Sequence, residues 1–188
     1  MNQPQRKSIR LQGYDYSQAG FYFVTICTQN HLCLFGEIQR NGQMKRNSAG
    51  EMLDKWWLEL AHKYPLVTLH ERIVMPNHFH GIVQIEHDTE AKGSRTEFTS
   101  IKITDQDEQL HSDPHSLASI IGWFKSMTMN EYIRQVKTQG WKPFYQRLWQ
   151  RNYYEHIIRD EEAWNEISDY IRTNPQRWID DKYYRYEK

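Results

Sequence analysis

The sequence predicts an α+β domain, with an antiparallel-rich sheet covered by helices, near the ferredoxin-like group. Three observations lead there. Stretches of strand composition and stretches of helical spacing interleave in the order β-β-α-β-β-α-β-α. Two of the strands are separated only by Pro76-Asn77, a tight turn that makes antiparallel neighbours. No internal repeat and no Gly-rich phosphate loop occurs, nor any Cys-His zinc spacing. At 188 residues the chain is read as one domain, 1–188, long enough to bury a proper core.

Residues 1–20 form a polar, turn-rich lead-in. Phe21–Cys27 is rich in β-branched and aromatic residues and predicts a strand, with Leu32–Ile38 as its hairpin partner. A helix starts near Ser48, where Ser48 and Glu51 have capping-box spacing, and stops before Pro65. Its stripe is Met52, Trp56, Leu60 and Lys63, flanked by Leu53, Trp57 and Tyr64. Val67–Met75 and His78–Glu86 are the next strands. From His87 to His115 the chain is acidic and unpatterned, which predicts a mobile insertion. Leu117, Ile120, Ile121, Phe124 and Met127 then mark a helix from Ser116 to about Lys137. Tyr153–Arg159 predicts a last strand, and Asp160-Glu161-Glu162 caps a helix that ends at Asn174-Pro175.

The formal charge is zero, but it is unevenly spread. Segment 86–115 holds eight acidic and three basic residues, which leaves 21 basic and 16 acidic elsewhere, a net +5 compatible with a phosphate-binding face. Seven Trp and twelve Tyr serve cores and base stacking alike. With two cysteines, Cys27 and Cys33, and neither an apolar leader nor an apolar run near 20 residues, the expectation is reduced thiols in a cytoplasmic protein without a membrane span.

The chemistry centres on Met75-Pro76-Asn77-His78-Phe79-His80-Gly81-Ile82. In a strand, residues i and i+2 leave the same face about 7 Å apart. His78 and His80 therefore project together, able to share one divalent cation, and Phe79 points to the core. In the last helix, Ala163, Ile167, Tyr170, Ile171 and Asn174 fall on one stripe. Tyr170 and Asn174 lie one turn apart, about 6 Å. Two imidazoles and a carboxamide oxygen make three protein ligands with open positions, a catalytic rather than a structural arrangement. Imidazole leans toward softer metals, whereas an amide oxygen and a phosphate suit Mg²⁺ or Mn²⁺, which are the expected ions. A phenol beside such a site can attack phosphorus. Taken alone, Asn174 also fits a helix cap before Pro175 and Tyr170 an amphipathic core residue.

The His-hydrophobe-His stretch resembles the HUH motif of single-tyrosine transposases, and most of all the REP-associated tyrosine transposases, which act on single-stranded DNA hairpins. Further matches are Arg10-Leu11 with Gly13-Tyr14-Asp15-Tyr16, Tyr22–Ile26, Phe124-Lys125-Ser126, Leu148–Arg159 and Asp169–Pro175. They span nearly the whole chain in family order, apart from the acidic insertion. The resemblance implies a ferredoxin-like HUH nuclease fold. It implies a divalent metal on His78, His80 and Asn174, with Tyr170 as nucleophile. Tyr170 would leave a 5′-phosphotyrosine and free a 3′-OH that can later rejoin strands. The expected partner is single-stranded or hairpin DNA, with monomer and homodimer both open. Tyr153 and Tyr154 are rival nucleophiles, ranked second for want of an i+4 ligand. Lys125 and Arg151 are the expected DNA contacts, in a late basic cluster that includes Arg134, Arg147 and Arg159 beside Trp141, Tyr145 and Trp149. His156 is read as structural. Two other functions stay open: a domesticated hairpin-binding module without turnover, and a metal-dependent hydrolase that uses water.

Overall fold

The computed structural model describes residues 16–86 and 115–184. Most of the lead-in, including Arg10 to Asp15, and the acidic stretch up to Pro114 lie outside the described residues. A four-stranded antiparallel sheet runs in the order β4-β5-β1-β6, built from Gly20–Cys27 (β1), Val67–Val74 (β4), His78–Ile85 (β5) and Tyr154–Ile158 (β6). Three helices cover it: Ser48–Lys63 (α1), Leu117–Gln139 (α2) and Glu161–Thr173 (α3). This is the expected α+β, ferredoxin-like arrangement. Among the described residues no helix is long and apolar enough to cross a membrane.

Strand alternation divides the sheet into two different faces. Tyr22, Val24, Ile26, Phe79 and Val83 point toward α1 and α2 and join the large core with Leu53, Trp57, Ile120 and Phe124. The other face packs α3 through a smaller cluster of Phe23, Ile82, Ile158 and Ile171. His78 and His80 share that second face with Ile82. Phe79, fully buried, lies with its ring 4.6 Å from Trp57 and 5.5 Å from Phe124. Burying such a side chain is worth about 1.5–3 kcal/mol, so the residue between the histidines anchors their strand. Gly81 is required by the same packing, because a Cβ there would lie 2.5 Å from Cζ2 of Trp57.

Two local expectations are corrected. Leu32–Ile38 does not pair with β1, whose two edges are taken by β5 and β6. Leu34 and Phe35 instead bury themselves and donate their N–H groups to the Pro76 carbonyl, at 2.9 and 3.1 Å. Gly36–Ile38 (β2) then pairs with Met44–Arg46 (β3) in a separate hairpin. Gly36 opens that hairpin at φ +134, where a Cβ would meet the Lys45 carbonyl at 2.2 Å.

The cap of α1 is Asn47, not Ser48. Its Oδ1 accepts from Gly50 N at 3.0 Å and its Nδ2 donates to the Leu34 carbonyl at 3.0 Å, so one side chain both caps the helix and ties it to the preceding segment. The last α-helix does end at Asn174-Pro175, as expected. Asn174 stays helical (φ −53, ψ −42), and the chain continues as a 3₁₀ turn, Asn174–Asp180, with proline tolerated in its first turn. Asp160 does cap α3, accepting from Ala163 N at 2.8 Å. Cys27 and Cys33 are thiols rather than a disulfide.

Candidate active site

The turn before β5 and the middle of β1 fix the two histidines. His78 and His80 are buried with ring centroids 4.5 Å apart. Nδ1 of His78 is 2.8 Å from Oδ1 of Asn77, and Nδ1 of His80 is 2.8 Å from Oγ1 of Thr25. Asn77 is itself held by its Nδ2, which donates to the carbonyls of His31 (3.1 Å) and Tyr183 (2.8 Å). Its Oδ1 therefore accepts, the Nδ1–H of His78 donates, and the lone pair of that imidazole sits on Nε2. Outer hydrogen bonds of this kind set the tautomer of metal-binding histidines.

Burial pushes the His78 pKa down to about 3, with the nearby Asn174 amide partly opposing and the charges of His31 and Lys182 adding to the shift. Burial, then His78 and Lys182, hold His80 well below its ordinary range. Both rings are therefore neutral near pH 7, the form that ligates metals.

The α3 end and the 3₁₀ turn supply the rest. Asn174 is buried, as the stripe requires. Its Nδ2 donates to Oδ2 of Asp181 at 3.1 Å. Neither its Oδ1 nor Nε2 of His78 makes a well-formed hydrogen bond, although the amide is near enough to influence both His78 and Tyr170. Asp181 was not foreseen. One of its oxygens and a nitrogen from each histidine all lie within 4.8 Å of one another. Its Oδ1 is held by the N–H of Tyr183 at 2.7 Å.

The Tyr170 hydroxyl lies 3.4 Å from Nε2 of His80, with its ring edge-on to Phe23. Burial and then the Asp181 charge push its pKa up to about 12, with Asn174 partly opposing.

Other phenols surround the pair. Tyr183, also unforeseen, has its ring 4.8 Å from His78, and burial chiefly raises its pKa. Nζ of Lys182 lies over the rings of Tyr154 and Tyr183, at 5.2 and 4.8 Å. The rivals Tyr153 and Tyr154 separate by alternation. Tyr153 packs against the large core, while Tyr154, opposite Thr25 in the β1–β6 register, touches Phe23 on the histidine face. His156 is exposed on β6, which gives it no packing role.

Lys125 and Arg151 line one open cleft of about 450 Å³ with Arg147 and Trp149. Nζ of Lys125 donates to the carbonyls of Gln150 (2.7 Å) and Arg151 (3.0 Å), and burial followed by the Arg147 charge lowers its pKa to about 8. The wider basic cluster disperses. Arg134 pairs with Glu131, and Arg159 lines a different cleft beside Trp164. Trp149 is buried and donates its Nε1–H to Thr128, so it belongs to the core rather than to a stacking surface.

No family model matches the chain. It is 37% identical over 179 residues to an uncharacterized protein of Haemophilus influenzae, in a match covering 95% of this chain and 93% of that protein. Its fold is similar to that of the REP-associated tyrosine transposase solved bound to a REP hairpin, with a TM-score of 0.51 and 18% identity over 89% of this chain and 73% of that one.

Proposed function

We propose that this chain, which belongs to one family with the uncharacterized Haemophilus influenzae protein and shares the fold of the REP-associated tyrosine transposase, is a metal-dependent single-stranded DNA transposase or endonuclease. In this reading it cleaves and rejoins DNA through a 5′-phosphotyrosine, at hairpin-forming repeats, as a single domain. The observation that carries the reading is one convergence on the α3 face of the sheet. There a His-x-His pair, a carboxylate and an amide surround a phenol whose oxygen is 3.4 Å from His80.

The donor set fits a divalent cation. It offers two neutral imidazoles, the Asp181 carboxylate and a buried Asn174 Oδ1 that makes no good hydrogen bond. The imidazoles lean toward softer metals, whereas the carboxylate, amide and phosphate oxygens suit Mn²⁺ or Mg²⁺, the ions proposed here. When bound, the cation supplies positive charge that polarises a phosphodiester oxygen and offsets the Asp181 carboxylate. Thr25 and Asn77 orient the imidazoles, and α3 holds Tyr170 against the same point, which supplies proximity without a conformational step. The Tyr170 phenol gives its proton to solvent, its Oη forms a bond to phosphorus, and the P–O3′ bond breaks. The departing 3′ oxygen takes a proton from water. Reversal, with a 3′-OH attacking the phosphotyrosine, rejoins strands.

A second reading, a hairpin-binding module without turnover, draws on the Tyr170 pKa near 12, since such a phenol stays protonated. Labelled single-stranded hairpin DNA incubated with the protein and Mn²⁺, then run on a denaturing gel, separates these readings. A covalent adduct abolished by EDTA is the expected result. Tight binding without an adduct favours the module, and a free 5′-phosphate end without an adduct favours a water-using hydrolase.

A further inference from the structure

A second polar cleft, of about 510 Å³, opens where β3, β4 and the end of α3 meet. Three guanidiniums from those three elements line it, Arg46, Arg72 and Arg172, together with Gln43, Gln176 and the single carboxylate of Asp54. Asp54 answers two of them, with Nε of Arg72 at 2.6 Å from Oδ1 and Nη1 of Arg46 at 3.0 Å from Oδ2. Arg172 pairs with Asp169, which does not line the cleft. The charged side chains of the wall therefore comprise three cations and one anion.

A guanidinium carries five N–H donors in a planar fork, so a shared carboxylate orients Arg46 and Arg72 without exhausting them. A fixed, planar donor set of this kind matches the oxygens of a phosphodiester. The side chains are reachable, at 42% exposure for Arg46, 29% for Arg72 and 65% for Arg172.

The cleft adjoins the histidine site. Ile73, on its wall, is the cross-strand partner of His80, and antiparallel partners sit about 4.5–5.5 Å apart between Cα atoms. Pro175, also on the wall, directly follows Asn174. The cleft turns round the β4 edge, with Arg172 on the α3 side that carries the histidines and Arg72, opposite Gly81, held by Asp54 of α1 on the other.

We propose that the Arg46–Arg72–Arg172 cleft is a phosphate-binding subsite that holds the sugar-phosphate backbone of single-stranded DNA flanking the scissile phosphate. That the held phosphate flanks a cleaved bond rests on the function proposed above; the binding itself does not. The subsite contacts backbone and so positions the strand without reading its sequence.

The test is the salt dependence of binding, measured by fluorescence anisotropy on a labelled single-stranded DNA hairpin with unpaired tails. The variants are Arg172→Gln, Arg46→Gln/Arg172→Gln and, as an equal loss of charge outside the cleft, Lys63→Gln. Each lost phosphate contact should flatten the slope of log K against log salt by about 0.7 for a single strand. The expected result is a drop of about 0.7 for Arg172→Gln, about twice that for the double variant, and none for Lys63→Gln. Slopes equal to wild type in the arginine variants, a drop as large in Lys63→Gln, or no binding by wild type would overturn the proposal. Arg172 is exposed on the last turn of α3, so its single variant decides the matter if the double variant does not fold. Binding slopes are read whether or not an adduct forms: a protein that forms the adduct but keeps its slopes loses only the cleft, and one that changes slopes without an adduct loses only the catalytic reading.

Discussion

Thr25→Val separates the support of the site from the site itself. Valine keeps the shape of threonine and removes one oxygen. That oxygen lies 2.8 Å from Nδ1 of His80, in a place where Thr25 and His80 are 2% and 1% exposed, so no water can readily replace it. The ring nitrogen is then a buried polar group without its partner, at a cost of about 1–3 kcal/mol. For a chain of this length that lowers Tm by about 2–12 °C, at about 2–4 °C per kcal/mol. A freed imidazole can also rotate or change tautomer, which should weaken metal binding by about 10–100-fold. Thermal unfolding in EDTA reads the first effect and calorimetric titration with Mn²⁺ the second, with Thr25→Ser expected to restore much of both. A folded Thr25→Val protein with wild-type Mn²⁺ affinity would refute the reasoning, because the hydroxyl would then not be setting His80.

Further outcomes follow from the same geometry. His78→Ala and His80→Ala should each abolish metal-dependent cleavage, Asp181→Asn should weaken Mn²⁺ binding by loss of charge, and Asn174→Ala should weaken it less; calorimetry ranks them, and undiminished binding by the double histidine variant would remove the site. Gly81→Ala drives a methyl against the Trp57 indole, at 2.5 Å before relaxation, and should cost about 1–3 kcal/mol as overpacking, read by urea unfolding. For Asp54, burial raises the pKa but Arg72 and Arg46 outweigh it, so the folded value lies below the ordinary one. Its contribution is complete above about pH 4, the unfolded range, and is lost as pH falls through the depressed folded value. Asp54→Asn should therefore show a shallower fall of Tm with acid below about pH 4 than wild type, and an identical fall would count against that pairing.

The sheet was legible because its strands carry strong local signals. β1 is a run of aromatic and β-branched residues, and β5 announces its two faces by placing Phe79 between histidines. The α3 stripe likewise foretold that Tyr170 and Asn174 would face inward, and Asn174 is buried. What the sequence hid was set by long-range contacts. Leu32–Phe35 has the composition of a strand, yet β1 has no vacant edge for it, and only the partners of β1 reveal that. Asp181 lies seven residues beyond Asn174 in a polar stretch that looks like solvent-facing tail. Nothing local signals the 3₁₀ turn that brings it back to the histidines, since a proline fits both just after a helix and in the first turn of the next. Tyr183 was missed for the same reason. Trp149 lies in the core although its neighbours in sequence are basic, because an indole near basic residues has the same composition in a core as on a stacking surface.

In the proposed reaction Tyr170, alone among the phenols near the histidine pair, attacks DNA. The most direct test is mass-spectrometric mapping of the tryptic peptide that keeps a nucleotide after wild-type protein reacts with single-stranded hairpin DNA and Mn²⁺. Tyr170→Phe, which keeps the ring and its contact with Phe23, serves as the control. The expected outcome is a nucleotide on Tyr170, no adduct from Tyr170→Phe despite wild-type folding and DNA binding, and continued adduct formation by Tyr153→Phe, Tyr154→Phe and Tyr183→Phe. A nucleotide on Tyr183 or Tyr154, or undiminished adduct from Tyr170→Phe, would contradict it.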